Sequence, residues 1–348
     1  MNAKRVPTRA ERGQAMDAFL VQAGWVGATR RMLAGDASFR RYERVEWHGR
    51  HAVLMDAPPP WEDVAPFVRV TEQLAACGVR VPQIIAADRA QGFLLLEDLG
   101  DASFTRLLKD QPAREAELYL AATEALLVLA RASATQRPEL PAYDMAVYRR
   151  EAGLFAEWFL PQLHGIEQAR TLRADWLSCW EAVLANAGLK QQCLVHRDYH
   201  ADNLLWLEGA AGIDAVAMLD YQDALWGDAA YDLASLLEDA RRDVSADTVR
   251  RCWQHYLQAS GEPEADFTRR YAVLAAQRNA KIIGIFVRLC VRDGKAHYLD
   301  YLPRVWGHFM RDLAHPALAP VRAFVDAHVP VAWRGDFSAD VSIGGIAP

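Results

Sequence analysis

Between Cys193 and Ala224 the chain alternates short apolar runs with dense polar loops. Cys193-Leu-Val195 reads as a buried strand end, and His196-Arg-Asp198 opens a loop behind it. Leu204 to Leu207 and Ala215 to Leu219 are two further strand-length runs. The turn residues Glu208 to Gly212 join them, which predicts a β-hairpin. Asn203 and Asp220 then lie near opposite ends of that hairpin, free to converge on one ion. Asp198, five residues before Asn203, is close enough to share the site while pointing at an acceptor. One carboxylate to orient a hydroxyl, and an amide plus a second carboxylate to hold Mg²⁺, is the set that phosphoryl transfer needs. Magnesium takes hard oxygen ligands and keeps several waters, so these two side chains and nucleotide phosphates suffice.

His196 to Asn203 also matches the kinase catalytic-loop pattern H-R-D-x-x-x-x-N. A lone match of this kind is as well explained by carboxylates at strand ends. Here the spaced asparagine, the hairpin and the second aspartate coincide. His196 and His200, four apart, suggest zinc only where the loop is helical and a third ligand cluster exists. Neither condition is met in the sequence, and His196 is expected to brace the loop instead.

A chain of 348 residues implies about two domains or lobes, and 52% hydrophobic residues suffice for large cores. The net charge of −6 and the absence of a long basic run argue against nucleic acid as a partner. Five widely spaced cysteines with no C-x-x-C suit a reducing compartment. No apolar run is expected to cross a bilayer, and the charged opening Met1 to Arg12 shows no signal-like core. A cytoplasmic protein is the expectation.

The first hundred residues alternate like an antiparallel sheet. Residues 14–26 look helical, and Thr29 to Leu33, Arg41 to Trp47 and His51 to Met55 read as strands. A helix follows over Trp61 to Cys77, then an extended segment from Val81 to Ala87 and a strand Phe93 to Glu97. After Gly100, residues 112–134, 145–160, 171–187, 230–242, 246–259, 267–292 and 298–313 favour helices. The tail from Trp333 reads as loose. The expected architecture is α+β, with a sheet lobe over residues 1–98 and a larger, mostly helical lobe over 99–348.

H-R-D-Y-H-A-D-N at His196 to Asn203, D-Y-Q-D-A at Asp220 to Ala224 and Gly227 to Ala234 together resemble the aminoglycoside phosphotransferase and choline kinase group. The resemblance covers most of the chain and implies a protein-kinase-like two-lobe fold. It implies that Asp198 is the catalytic base, that Asn203 and Asp220 hold Mg²⁺, and that Glu97 to Leu99 meet adenine through backbone groups. It places Asp232 in support of the catalytic loop, although a helix cap is the other reading. Gly35 to Tyr42, Met55 to Pro59 and Gln277 to Phe286 with Arg292 to Lys295 are similar to bacterial anomeric kinases of N-acetylmuramate and N-acetylglucosamine. That narrower likeness implies ATP, Mg²⁺ and an amino sugar as the small-molecule partners, and a sugar 1-phosphate made in cell-wall recycling. A kinase for another small alcohol (aminoglycoside, choline or homoserine) and a non-catalytic nucleotide-binding protein are the alternatives.

The chain departs from the family pattern twice. The phosphate-covering loop has the single glycine Gly35, with Ser38 as a further donor. Met55 occupies the neighbourhood of the third-strand lysine, so the helix glutamate Glu72 lacks its usual partner. Arg40 or Arg41 either supplies the missing charge, strand alternation allowing at most one of them to face the nucleotide, or both are solvated strand-edge residues. Arg278, Lys281 and Arg288 share a helix face, which reads either as a solvated stripe or as a lining for the sugar with a cation for a carboxylate. Asp223 is a candidate for the acceptor pocket, and Asp228 is expected to be a solvated loop charge.

Overall fold

Val45, Leu54, Phe93 and Leu95 fall on alternating positions of three neighbouring strands and are buried together under one helix. The computed structural model describes residues 9–33, 39–135 and 137–335. The helix is α1 (Arg9–Gln22), which sets Met16, Phe19 and Leu20 on that sheet face. The strands are β1 (Thr29–Met32), β2 (Arg41–Trp47), β3 (Arg50–Asp56), β4 (Ile84–Asp88) and β5 (Phe93–Glu97). They form an antiparallel sheet in the order β1-β2-β3-β5-β4. β5 reads Phe-Leu-Leu-Leu and is buried along that run, as expected of an inner strand covered on both faces. Each such side chain contributes about 1.5–3 kcal/mol. Gly92 closes the β4–β5 turn at φ 73°, where an added Cβ would lie 1.9 Å from the Ala57 carbonyl oxygen. Helix α2 (Ala65–Ala76) lies between β3 and β4 in the chain and buries Phe67, Val68 and Thr71.

The remaining helices are α3 (Phe104–Asp110), α4 (Glu115–Thr135), α5 (Met145–Leu154), α6 (Leu160–His164) and α7 (Ile166–Asn186). Short strands β6 (Cys193–Val195), β7 (Leu204–Trp206), β8 (Val216–Met218) and β9 (Leu225–Gly227) follow. The chain ends with α8 (Ala230–Leu237), α9 (Ala246–Ser260), α10 (Glu264–Asp293), α11 (Leu302–Asp312) and α12 (Ala319–His328). α10 is buried on nearly every side from Ala272 to Gly284. A Cβ on Gly284 would lie 2.3 Å from the Leu154 carbonyl carbon, so α10 meets the end of α5 backbone to backbone. There the chain widens into a π turn, Phe155–Phe159, where a single helix over 145–160 was expected. The expected helix 230–242 also stops early, because Glu238 leaves the helical region at φ −117°, ψ 50°. α3 and α12 are additions to the expected set. The tail expected to be loose lies outside the described residues from 336 on.

The chain divides into one unit of Met1–Ala102 with Leu205–Asp223 and another of Ser103–Leu204 with Ala224–Pro348. This differs from a single boundary at 98/99 in two respects: the division falls after Ala102, and the hairpin returns to the first unit. Its ties are specific. The Met218 N–H donates to the Arg80 carbonyl at 2.9 Å, and the Trp206 N–H to the Ala102 carbonyl at 2.9 Å. Tyr221 Oη and Thr71 Oγ1 are 2.8 Å apart. Among the described residues, only Pro112–Thr135 is long and apolar enough to cross a membrane by composition. Half of its apolar window is buried in protein, and α4 packs on α9.

Candidate active site

β6 pairs with β9 through Cys193–Gly227 and Val195–Leu225. The chain then leaves β6 into the loop His196 to Asn203, in the second unit. Two carboxylates hold that loop by its backbone. Asp232, in the first turn of α8, accepts the N–H of His196 at 2.6 Å and of Arg197 at 2.9 Å. Asp239, just past the end of α8, accepts the N–H of Ala201 at 3.2 Å. The loop needs such anchors because Arg197 has φ 77°, a left-handed conformation costly for a side chain with a Cβ. Asn203 Nδ2 donates to the Asp198 carbonyl at 2.9 Å, which turns Oδ1 the other way as a hard oxygen donor.

Behind Asp198 stands a buried charge network. Glu151 on α5 accepts from Arg197, from Tyr143 Oη and, at 3.3 Å, from Gln277 Nε2. Lys281 on α10 lies 3.8 Å from Glu151 and donates to Tyr231 Oη at 2.7 Å. Burial by itself pushes the Asp198 carboxyl up. Lys281, with His200, His196 and Arg197, outweighs it and holds Asp198 below the usual carboxylate range. Burial likewise opposes the ionisation of Glu151, and Lys281 and Arg197 overcome that cost. The result is a carboxylate ready to accept a hydrogen bond from a hydroxyl.

Asp220 belongs to the first unit, two residues past β8. It is exposed, has φ 60°, and accepts from Gln222 Nε2 at 2.8 Å. Its neighbour Tyr221 is buried, with its ring 5.1 Å from Phe67, so the strand end is pinned while the carboxylate faces outward. Asp223 is exposed. Arg40 lies 3.3 Å from Glu62, and Arg41 is exposed opposite Asp56. Glu72 is turned to solvent on α2, 3.9 Å from Arg89, which removes it from the place of a buried helix glutamate. Met55 is buried. Ser38 and Gly35 lie outside the described residues. Glu97 pairs with Arg80 at 2.5 Å, and its N–H donates to the Gln83 carbonyl at 2.8 Å, so a nucleobase would meet other backbone groups of the Glu97 to Leu99 segment. Leu99 is half-buried. Arg44 grips Asp98 at 2.6 Å and Asp101 at 2.8 Å, fastening this linker to β2.

Two expectations need correction. Asp228 is not a solvated charge: it is buried, pairs with Arg270 at 2.9 Å and accepts the Lys190 and Ala230 N–H groups. Arg278 and Lys281 are not a solvated stripe either, because α10 is interior at both positions. Glu151 and Asp239 escaped the sequence reading, since Arg-Arg-Glu and Glu-Asp-Ala-Arg-Arg-Asp look like solvated charge runs. Among the described residues no cluster of three His, Cys, Asp or Glu side chains could hold a metal by itself. A divalent cation held by Asn203 or by Asp220 would need water or phosphate oxygens to complete its shell.

The sequence model of the phosphotransferase enzyme family matches residues 29–271. An N-acetylmuramate/N-acetylglucosamine kinase of Caulobacter vibrioides is 36% identical over 365 residues, spanning 93% of this chain and 99% of the relative. One of Pseudomonas aeruginosa is 39% identical over 294 residues, 82% of this chain and 84% of the relative. Among solved structures, a choline/ethanolamine kinase family protein from Mesorhizobium loti aligns at TM-score 0.59 and 18% identity, over 91% of this chain and all of that one. A microcompartment-associated aminopropanol kinase aligns at TM-score 0.61 and 14% identity, over 88% and 99%. The structural matches bear on fold alone, and that fold is the α+β, protein-kinase-like one. The chain belongs to the phosphotransferase enzyme family.

Proposed function

We propose that this chain is an ATP-dependent kinase that phosphorylates N-acetylmuramate and N-acetylglucosamine on the C1 hydroxyl, in the cytoplasm, for cell-wall recycling. The observation that carries the reading is identity of 36–39% to kinases of these two sugars along most of the chain, together with a braced Asp198. In this reading Asp198 accepts a hydrogen bond from the sugar hydroxyl and aligns it for in-line attack. Lys281 and Arg197 keep Asp198 ionised, and Glu151 keeps those two cations in place. Asn203 Oδ1 and the outward carboxylate of Asp220 are the ligands a magnesium ion would take, and the ion would supply neutralisation of the phosphate charge. Arg40 or Arg41, with Ser38, serves the triphosphate, and backbone groups of Glu97 to Leu99 serve the adenine. Asp223 is the candidate for the acceptor side. Positioning and electrostatics do most of the work in such a transfer.

The test is direct. Incubation with ATP, Mg²⁺ and a panel of amino sugars, aminoglycosides, choline and homoserine, followed by ³¹P and ¹³C NMR, should place new phosphate on C1 of the two N-acetyl sugars. Phosphate on another acceptor, or ATP binding without product from any of them, rejects the proposal.

A further inference from the structure

Taking a guanidinium out of water is costly unless an anion goes with it. The deeply buried Arg270 obeys that rule, with Asp228 at 2.9 Å and Glu262 also in contact. Arg278 does not. It is 3% exposed, in the middle of α10, yet its hydrogen bond goes to the backbone carbonyl of Glu238, at 3.3 Å. Among the described residues no carboxylate comes within ion-pair distance of it. Glu238 feels Arg278 only from beyond ion-pair distance, and its oxygens are engaged by other groups. Glu238 accepts from Tyr271 and Asn279, and Asn279 also donates to Asp312.

Further polar atoms nearby lack protein partners. His200 Nδ1 and His308 Nε2 are buried and unbonded, and both rings lie within electrostatic reach of Arg278. His200 belongs to the Asp198 loop, and its Nε2 is 3.4 Å from Asn203 Nδ2. Lys281, one turn along α10 on the same face, acts on Asp198 itself. The bond to the Glu238 carbonyl sets Arg278 beside Asp239, which holds Ala201 of the Asp198 loop, so a cation with no ion-pair partner lies in the neighbourhood of the base.

We infer that Arg278 reads the carboxylate of the acceptor: the lactyl ether that N-acetylmuramate carries and N-acetylglucosamine lacks. This rests on the kinase reading above and specifies how the site tells its two sugars apart. A planar fork with unused donors suits a carboxylate by two parallel bonds. Lys281 is not the reader, since Tyr231 and Glu151 already engage its ammonium. Arg288 is not the reader either: it stands nearly three turns further along α10, under the influence of Arg292, Asp293 and Glu157.

Steady-state kinetics of Arg278→Gln and Arg278→Lys on both sugars test the assignment. Arg278→Gln should lower kcat/KM for N-acetylmuramate about ten- to hundred-fold more than for N-acetylglucosamine, chiefly through KM. Arg278→Lys should recover part of that selectivity. Equal losses on the two sugars, with a lowered melting temperature, make Arg278 structural and overturn the inference. Where Arg278→Gln fails to fold, the wild-type protein decides: the methyl ester of N-acetylmuramate, uncharged and no smaller, should be used at least about tenfold less well than the acid. Equal use of acid and ester overturns the inference while leaving the kinase reading intact. A wild type inert on both sugars overturns the kinase reading and this inference with it.

Discussion

Around Asp198 the loop is held from outside: Asp232 and Asp239 take three of its backbone N–H groups, and Glu151 clamps Arg197 and Lys281 behind it. Asp220 stands on the opposite plan. Its side chain is exposed beside Gln222, and its position is set by a left-handed backbone and by the buried ring of Tyr221 next to it. The first arrangement commits buried charge to fix one carboxylate. The second leaves a carboxylate hydrated at the end of a pinned strand, which suits a ligand for a cation that itself keeps water. Rigidity is therefore greatest around Asp198, and solvent access around Asp220.

The sharpest way to break this contrast is to remove each carboxylate. Asp198→Ala should lower turnover by about 10³-fold, within the range expected for a positioned acid–base group, while ATP affinity measured by calorimetry stays close to wild type. Near-normal turnover would remove Asp198 from the mechanism. Asp220→Asn should leave stability within about 0.5 kcal/mol, because the site is exposed and asparagine tolerates positive φ. Activity should nonetheless fall by more than the roughly 10–100-fold typical of an outer-shell partner, and part of it should return at raised Mg²⁺. A melting temperature that drops while Mg²⁺ dependence stays flat would make Asp220 structural. Glu151→Gln should do the reverse. It leaves Arg197 and Lys281 without their shared anion and should cost about 3 kcal/mol in denaturant melts. Mg²⁺ dependence should not change, and an unaltered melt would show that the network is ornamental to the loop.

The same contrast explains what could be read from sequence. Strand alternation and the hairpin were legible because burial of one face has a period of two, and Arg41–Trp47 emerged as β2 with its bounds as expected. Asp198, Asn203 and Asp220 could be nominated because the chemistry expected of them is local to two short segments. Glu151 was not. It is 46 residues from Arg197 and 126 from Gln277, and a glutamate after two arginines carries no mark of burial. Glu72 was misplaced for a related reason: a helix position assigned by resemblance does not reveal which face turns inward, and here Thr71 is the buried neighbour. The early end of α8 was also hidden. Glu238 leaves the helix where its side chain meets Asn279 and Tyr271, partners from α10 that no local pattern announces.

The smallest expected effect probes how far the bracing of the second unit reaches. Glu238 and Asp312 share the Asn279 amide in the interior. Burial, reinforced by Glu238, pushes the Asp312 carboxyl well above the usual range, and burial raises Glu238 as well. In the unfolded chain both lose their protons near pH 4. Above that pH the native state holds more protons than the unfolded state, so the pair's stabilisation is present in acid and is lost as pH rises through the native value. His308 works against this. Burial, with Arg311, Arg278 and Arg304, lowers it to about 4, so its contribution is lost as pH falls below the ordinary histidine value. Asp312→Asn removes the first slope and keeps the second. Denaturant melts at pH 5, 6.5 and 8 should then show the variant gaining on the wild type steadily with pH, the difference being greatest at pH 8. A constant offset across the three would mean that the acid pair holds no extra proton, and that the buried charge behind the Asp198 loop ends at Glu151 and Lys281.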